Sequence, residues 1–408
     1  MLAEGHELRV AVSEPFAHGT MAGMVPRTDD WRAELDWVRE AGRNGFILFE
    51  AVSEGFGALQ DELRRDGFQV IGGSAFGDRL ENDRAFAQAL LADMGLPVAP
   101  TREFTDPAEG RSFLAAHPGR YALKFSGGGS YVGVLADGSD LAAMLEAGPD
   151  SGRFILQDRV TGVETGVGAY FNSQRFLRPA CLDWEEKRFF PGDLGELTGE
   201  MGTVATFDGS GRLFERTLAP LERLLREAGH VGWVNLNCMI NEAGVWPLEF
   251  TCRFGYPGFA VLSVLQTGGW GDLLRRLADP DATGLATAAG YSVGIVLTTP
   301  PFPYSRQQVA EAVGLPILID GSLGEQDRQH LHWGEVGMAG GRLVTSGLYG
   351  WTAVVTGTGS SIDQAREEAL RRARGLTVPN VRYRPDIGER LIRGELAELA
   401  RWGWIGGA

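Results

Sequence analysis

The stretch ALKFSGGGSYVGV, residues 122–134, places Lys124 near the end of a short apolar run and three glycines shortly after it. Apolar residues on both sides of the glycines predict two strands joined by a loop. A glycine run costs backbone entropy and packs nothing, so it is favoured where the backbone must approach another group closely. Polyphosphate is one such group. An ordinary hairpin whose lysine reaches solvent is the alternative that this stretch leaves open.

Length and composition restrict the protein class. A chain of 408 residues is long enough for two to four domains, and 44% hydrophobic with 22% charged residues is typical of a globular protein. No apolar run approaches the roughly 20 residues of a membrane span, and the first residues do not resemble a secretion signal. Three cysteines without a C-x-x-C pair argue against a disulfide framework or a zinc site, which favours the cytoplasm. The net charge of −15 makes nucleic acid an unexpected partner.

The order of predicted elements indicates an α/β and α+β multidomain protein. Residues 1–75 predict a small parallel α/β domain, because apolar strands such as LRVAVSE, GFILFEA and FQVIGG alternate with amphipathic helices. A helical pattern over 78–94 ends at GLPVAP, and a new strand, YSVGIVLTT, begins a last mixed domain. We therefore expect domains at 1–75, 76–284 and 285–408, with a small subdomain at about 100–165.

Two cations and the glycine loop form the first candidate site. Arg84 and Lys124 come from different predicted elements and could clamp phosphates from two sides. The loop from Ser126 through Gly129 to Ser130 could fold its N–H groups over the same phosphates. Taken alone, Arg84 is as well explained as a solvated helix residue.

The segment FILQDRVTGVET is the second candidate. Gln157, Asp158 and Val160 could offer backbone to an adenine ring, and the Glu164 carboxylate suits the paired hydroxyls of a ribose. An apolar strand followed by a polar turn explains the same pattern without a ligand.

The strands GWVNLNCMI and VWPLEFTCRFG supply the third candidate. Glu249 and Thr251 are two residues apart and share a strand face, and Asn237 lies on the other strand. Oxygen ligands of this kind suit Mg²⁺. The alternative is that Glu249 is an edge-strand charge and Asn237 a satisfied core amide.

Taken together, these stretches resemble the ATP-grasp ligases. The resemblance rests on IGGSAFGDRLENDRAFAQALLADMGLPVAP, KFSGGGSYVGV, QDRVTGVET and LEFTCRFGYPG. The lysine and glycine loop also have the spacing of the D-alanine–D-alanine ligases. Three further segments resemble the phosphoribosylamine–glycine ligase family over nearly the whole chain: EEKRFFPGDLGELTGEMGTV, GGRLVTSGLYG and YRPDIGERLI.

The resemblance implies ATP and Mg²⁺ or Mn²⁺ as cofactors and a carboxylate and an amine as small-molecule substrates. In such enzymes ATP phosphorylates the carboxylate, and the amine attacks the acyl phosphate to give an amide, ADP and phosphate. The catalytic residues that it implies are Lys124, Lys187 and Arg253. ATP contacts are implied at Arg84, Lys124, Ser126, Gly129, Ser130, Gln157, Asp158, Val160 and Glu164, and metal contacts at Glu249, Asn237 and Thr251.

The sequence departs from the family pattern mainly at the substrate end. Asn237 and Thr251 stand where an acid and an asparagine are common, and Tyr256 and Gly258 replace two acids of R-F-G-D-P-E. Glu200 occupies a glycine position of T-G-G-M-G. The N-terminal unit also lacks the glycine-rich loop by which the family receives a phosphorylated amine.

These departures lead to three functional hypotheses. We expect an ATP-dependent carboxylate–amine ligase acting on other substrates, with an amine that lacks phosphate and a carboxylate that could be glycine. The first alternative is an authentic phosphoribosylamine–glycine ligase, and the second is an ATP-binding homologue without catalysis. Arg253 is expected to hold the carboxylate or its acyl phosphate, with an ion pair to Glu249 as the alternative. We expect a monomer or a homodimer and no membrane partner.

Overall fold

The computed structural model describes residues 1–50, 55–125, 130–148, 152–304, 309 and 312–406. The chain divides into two compact units. Unit 1 comprises Met1–Ala87, Glu164–Asn237 and Glu249–Ala408, and unit 2 comprises Gln88–Val163 and Cys238–Leu248. The mixed α/β class with more than one unit is confirmed, while the three domain boundaries stay a prediction.

The strands of the described residues are β1 (Ile47–Leu48), β2 (Val70–Ile71), β3 (Thr101–Phe104), β4 (Tyr121–Phe125), β5 (Ser130–Val132), β6 (Phe154–Asp158), β7 (Val163–Asn172), β8 (Cys181–Phe190), β9 (Leu194–Thr206), β10 (Val231–Asn241), β11 (Gly244–Thr251), β12 (Tyr291–Thr298), β13 (Leu318–Ile319), β14 (Leu331–Trp333), β15 (Val336–Ala339), β16 (Arg342–Thr345), β17 (Trp351–Gly359) and β18 (Leu376–Thr377). The α-helices are α1 (Leu35–Glu40), α2 (Phe56–Arg65), α3 (Ala75–Asn82), α4 (Arg84–Asp93), α5 (Pro107–Ala116), α6 (Ser139–Ala147), α7 (Gly211–Thr217), α8 (Glu222–Glu227), α9 (Gly258–Ser263), α10 (Gly269–Ala278), α11 (Glu325–Arg328), α12 (Ile362–Arg374) and α13 (Leu396–Arg401). None of the helices in these ranges is both long and apolar enough to cross a membrane.

The N-terminal part of unit 1 contains the expected parallel pair. Strand β1 pairs with β2, with Ile47 opposite Val70, and α2 lies between the two strands in sequence. The expected strand LRVAVSE is wrong. Val10 makes only an isolated bridge to Arg27, so most of this segment has no neighbour for its backbone hydrogen bonds.

The helical pattern over 78–94 forms two helices rather than one. Helix α3 ends at Asn82 and α4 begins at Arg84, and the Asp83 carboxylate accepts a hydrogen bond from Phe86 N at 3.0 Å. An aspartate that satisfies an N–H of the following turn is a typical helix start. Gly95, with φ of +76°, follows α4, where a left-handed residue commonly ends a helix.

Unit 1 is built on a large sheet with the strand order β11-β10-β7-β8-β9-β12-β17-β14. Strand β12 is antiparallel to both neighbours, and Val293 faces Val204 on one side and Gly357 on the other. A core of large apolar side chains packs against the sheet, including Tyr170 and Phe254, which are fully buried. This rigid sheet carries most of the candidate residues of unit 1.

A β-bulge interrupts the pairing of β8 with β9. Glu186 pairs with Gly202, but Arg188 pairs with Leu197, so four residues of β9 lie opposite Lys187 alone. The hydroxyl of Thr198 donates to the carbonyl of Lys187 at 2.7 Å and anchors the bulged segment. Bulges redirect side chains and are frequent next to active sites. This one coincides with the sequence TGEMG.

A buried arginine ties the C-terminal part of unit 1 to β8. Arg384 is 1% exposed, and its guanidinium contacts Glu186 at 3.3 Å, Asp193 at 3.0 Å and Asp386 at 2.8 Å. Guanidinium groups suit such sites because their five donors lie in one rigid plane. The three carboxylates compensate the positive charge of Arg384, which would be costly to bury without them.

Unit 2 contains a sheet of order β3-β6-β4-β5, and within the described residues its strands are antiparallel. Helices α5 and α6 cover an apolar cluster that includes Leu114, Leu123 and Phe154. The sheet thereby fixes β4 and β6, the strands that carry Lys124 and Gln157.

Candidate functional site

Unit 2 brings two of the predicted ATP-binding residues together. The Nζ atom of Lys124 donates to Oε1 of Gln157 at 3.0 Å, and the Gln157 amide donates to Oγ1 of Thr101 at 3.1 Å. Register explains this contact, because Ala122 lies opposite Gln157 and Lys124 opposite Ile155 on the adjacent antiparallel strands. The lysine is therefore positioned by a neutral side chain.

The glycine loop lies largely outside the described residues. Ser126 and Gly129 belong to the undescribed segment, and Ser130 is described only through its backbone, which pairs with Lys124 at the start of β5. Asp158 ends β6, where its N–H donates to Pro100 O at 2.9 Å, and Val160 follows it in half-buried backbone. No role of these residues is tested by the geometry.

Unit 1 gathers three carboxylates around Lys187. Its ammonium lies 3.0 Å from Glu185, 3.3 Å from Glu249 and 3.4 Å from Glu164. Asn237 joins this cluster by donating to the same oxygen of Glu164 at 2.7 Å. Residues predicted separately for ribose, metal and catalysis therefore share one face of the sheet.

The acidic surroundings determine the charge of Lys187. Burial opposes the charged form, but Glu185, Glu249 and Glu164 outweigh it and raise the pKa of Lys187 well above 10.5. Arg84 adds a second cation on the far side, since its Nη2 lies 3.5 Å from Oε2 of Glu249. Lys187 is therefore charged at neutral pH.

We expect Lys187→Met to destabilise unit 1 by about 2–4 kcal/mol at pH 7, because it removes the cation that faces three carboxylates, of which Glu249 keeps its ion pair with Arg84. The raised pKa means that the lysine stabilises the fold fully below pH 10.5 and that this stabilisation is lost as pH rises through the folded-state pKa. Urea unfolding of wild type, Lys187→Met and Lys187→Arg measures both effects. Equal stability of wild type and Lys187→Met at pH 7 would contradict the expectation.

The residues predicted for metal binding offer oxygen donors but not a complete site. Glu249 and Thr251 lie two residues apart on β11, as expected, and Asn237 reaches Glu164. The described part of the chain holds no group of three or more His, Cys, Asp or Glu side chains arranged for a metal ion. Mg²⁺ commonly keeps several waters and takes only one or two carboxylates. The residues therefore fit a magnesium ion bound mainly by water and phosphate oxygens, with Glu249 as its protein ligand.

Arg253 pairs with Glu81 rather than with Glu249. Its Nη2 lies 3.0 Å from Oε1 of Glu81, and the other oxygen of Glu81 accepts a hydrogen bond from Cys252 N at 2.9 Å. The arginine is thus fixed beside α3. Glu249 is held instead by Lys187 and Arg84.

Sequence reasoning missed Glu185 and Asp183, which share the Lys187 face of β8. Asp183 is 7% exposed and accepts a hydrogen bond from Asn235 at 2.6 Å. A side chain at Gly166 would collide with this carboxylate, so glycine is required there. The sequence could have indicated these residues, because charged residues occur at positions 183, 185 and 187, and side chains two residues apart lie on the same face of a strand.

Asp183 makes stability depend on pH. Burial, followed by the charge of Glu185, raises the pKa of Asp183 to about 7, against the hydrogen bond from Asn235. The folded protein then keeps the Asp183 proton to a higher pH than the unfolded chain, which releases it near pH 3.8. The contribution of Asp183 to the free energy of unfolding is therefore largest below pH 4 and is lost as pH rises to about 7. We expect Asp183→Asn to gain stability relative to wild type between pH 5 and pH 8, as measured by urea unfolding. A pH-independent difference would contradict this.

The bulge opposite Lys187 directs Glu200 into the same region. Glu200 is 8% exposed, and burial, with the charges of Glu185 and Asp183, raises its pKa well above 4.5 while Lys187 lowers it. Its Oε1 atom is buried and has no hydrogen-bond partner within the described residues. The phenol of Tyr256 is likewise buried and unpartnered in that part of the chain. Two departures from the family pattern therefore lie among the unsatisfied polar groups of unit 1.

Related proteins are recognised by sequence and by fold. The family model described as "Phosphoribosylglycinamide synthetase, ATP-grasp (A) domain" matches residues 82–259. The phosphoribosylamine–glycine ligase of Pseudomonas aeruginosa is 27% identical over 362 residues, which cover 83% of this chain and 81% of that protein.

Two solved structures share the fold. A phosphoribosylamine–glycine ligase from Thermotoga maritima gives a TM-score of 0.67 at 19% identity, covering 94% of this chain and 95% of its own. A biotin carboxylase from Campylobacter jejuni gives a TM-score of 0.62 at 11% identity, covering 98% and 94%. The family model and the curated relatives show that this chain resembles the phosphoribosylamine–glycine ligases, with an ATP-grasp domain matched at residues 82–259, and the two solved structures share its fold.

Proposed function

We propose that the chain joins glycine to phosphoribosylamine at the expense of ATP, releasing ADP and phosphate. The observation that carries the reaction class is the cluster in unit 1, where Lys187, Arg84 and Glu249 form one charged network. The substrates are suggested by the relatives named phosphoribosylamine–glycine ligase, which match more than four fifths of the chain. These relatives support this alternative better than the sequence-based expectation of other substrates.

The residues of each unit have defined tasks in this proposal. Lys124 neutralises phosphate oxygens of ATP, and Gln157 holds the Lys124 ammonium in position. Arg84 keeps its own proposed phosphate contact. Mg²⁺ or Mn²⁺, with Glu249 as ligand, would neutralise charge on the transferred phosphoryl group. Arg253, fixed by Glu81, holds the carboxylate substrate or its acyl phosphate. The other proposed nucleotide contacts are Ser126, Gly129, Ser130, Asp158 and Val160. The proposed ribose contact is Glu164, and the proposed further contributors to the metal site are Asn237 and Thr251.

The reaction proceeds in two balanced steps. A carboxylate oxygen attacks the γ-phosphorus of ATP, forming an acyl phosphate and releasing ADP. The amine nitrogen then attacks the acyl carbon, the C–N bond forms, and the C–O bond to phosphate breaks with its electron pair on phosphate. Exclusion of water protects the intermediate from hydrolysis between the steps.

A second candidate function is the same reaction with an amine that carries no phosphate. Asp183 and Glu185 lie on β8 next to Lys187, Glu200 lies in the bulge opposite Lys187, and the charges of the three acids interact. A phosphate group with about two negative charges would be repelled there unless a cation compensated it. This observation favours a neutral or cationic amine.

One set of assays tests the proposal and separates the candidates. ADP formation is measured with glycine plus freshly generated phosphoribosylamine, and separately with glycine plus ammonia or ethanolamine. Turnover that requires the phosphorylated amine, together with rescue of a purine auxotroph, is the expected result. Turnover only with unphosphorylated amines supports the second candidate, and no carboxylate-dependent ADP in any mixture contradicts both.

A further inference from the structure

Three buried polar atoms in the region of Tyr256 and Trp351 lack a hydrogen-bond partner among the described residues. They are Oε1 of Glu200, the hydroxyl of Tyr256 and Nε1 of Trp351. Buried polar groups are almost always satisfied, and an unsatisfied one costs about 1–3 kcal/mol. Three such atoms in one region point to a ligand that satisfies them.

A ring contact, a close backbone approach and a charge interaction place the three side chains in one region. The rings of Tyr256 and Trp351 lie 5.2 Å apart with a tilt of 34°. A methyl group added at Gly199, the neighbour of Glu200, would lie 3.6 Å from Cζ2 of Trp351, on the indole edge that carries Nε1. Burial, followed by the charges of Glu335, Glu50 and Glu200, raises the pKa of Tyr256. The bulge, the loop after β11 and the start of β17 therefore meet here.

The backbone holds Trp351 firmly in this position. The Glu335 carboxylate accepts hydrogen bonds from the N–H groups of Tyr349 at 3.1 Å, Gly350 at 2.6 Å and Trp351 at 3.1 Å. Tyr349 stacks on Trp351 at 5.8 Å with a tilt of 15°. A preorganised site of this kind binds without an ordering cost.

The hydrogen-bonding capacity of the three atoms is specific. A carboxylate accepts, an indole N–H only donates, and a phenol does either. Aromatic faces beside a carboxylate favour a group with positive character. The complementary ligand carries N–H groups for Glu200 and an oxygen acceptor next to the nitrogen for Trp351 or Tyr256.

We propose that Glu200, Tyr256 and Trp351 form the site of the attacking amine and that Glu200 is the catalytic base that takes its proton. This inference rests on the proposed ligase function but holds for either candidate amine. As the nitrogen forms its bond to the acyl carbon, phosphate leaves with the C–O electron pair. The proton from nitrogen passes to the Glu200 carboxylate, so charge and atoms balance.

The surroundings of Glu200 suit this task. Burial, with Glu185 and Asp183, raises its pKa, and Lys187 lowers it. Tyr256 faces it from the loop after β11 as a further titratable group. A carboxylate of raised pKa is a stronger base at neutral pH than an exposed one. The rate of the amine step should fall on the acid side with an apparent pKa above 4.5.

The test measures the two chemical steps separately in the full-length protein. Acyl phosphate formation is followed with ATP, glycine and hydroxylamine, which traps the intermediate as the hydroxamate. Amide formation is followed with glycine and phosphoribosylamine, and again with ammonia. Loss of a general base costs about 10²- to 10⁴-fold. We expect Glu200→Gln to lose at least roughly 100-fold more of amide formation than of hydroxamate formation.

Two further variants serve as controls. Glu227→Gln makes the same change on an exposed helix and should match wild type in both assays. Glu200→Asp keeps a carboxylate and should retain the acid limb of the pH profile at a lower rate, whereas Glu200→Gln should lose that limb.

Each outcome decides one question. Absence of hydroxamate from the wild-type protein overturns the proposed function, whatever the variant does. A wild type that makes both products, with Glu200→Gln equal to it or reduced equally in both assays, overturns the role of Glu200. A selective loss of amide formation with the acid limb abolished supports it.

Discussion

Replacing Lys124 by methionine is expected to weaken ATP binding by roughly 10- to 150-fold, with a comparable loss of turnover. A charge-assisted contact to phosphate is worth about 1.5–3 kcal/mol, and the methionine keeps the length of the side chain without its charge. Gln157 loses its hydrogen bond from Lys124 but keeps that to Thr101, so we expect little change in folding.

Isothermal titration with a non-hydrolysable ATP analogue measures the affinity, and urea unfolding measures the stability. Arg153→Met removes an exposed cation immediately before β6 in the same unit and serves as the matched control. If Lys124→Met binds the analogue as tightly as Arg153→Met, the assignment of Lys124 to phosphate is wrong.

Replacing Glu249 by glutamine is expected to lower Mg²⁺-dependent ADP formation by at least roughly 100-fold, because a bound metal contributes several kcal/mol to charge stabilisation. The amide keeps the size of the carboxylate but is a far poorer ligand for a hard cation. Glu249 is 47% exposed, so its ion pairs with Lys187 and Arg84 contribute little to stability.

The rate is measured as a function of Mg²⁺ concentration. Glu242→Gln changes an exposed acid between β10 and β11 and should leave this dependence unaltered. A variant with reduced stability and a normal magnesium dependence would assign Glu249 a structural role instead.

Local patterns predicted the strands that carry the site. The apolar residues before the glycine loop correctly predicted β4, and the apolar start of FILQDRVTGVET agrees with β6, because apolar runs of this length are typical of strands. The same reasoning failed for LRVAVSE. Its composition is typical of a strand, but a strand also requires a partner along its length, and local sequence does not encode whether one is present.

Contacts between distant strands were not predictable from spacing. Motif resemblance indicated Lys187, but the three carboxylates around it come from β7, β8 and β11, and their meeting depends on sheet order. The partner of Arg253 was missed for the same reason, because Glu81 lies 172 residues away. The bulge at Glu200 could not be predicted from the alternation of side chains along a strand, because a bulge is defined by which residues of two strands pair with each other.

The Arg384 network has a consequence for the order in which the protein is made. Arg384 and its partner Glu186 are separated by 198 residues, so at about 5–20 residues per second the ribosome delivers the cation roughly 10–40 s after the acid. During that interval the Glu186 carboxylate of β8, which is buried in the folded protein, has no Arg384 to compensate its charge. Strands β12 and β17, which complete the sheet beside β9, also emerge late. The native packing of unit 1 around β8 is therefore completed only after Arg384 has been synthesised, and a nascent chain arrested before this residue is expected to depend on chaperones.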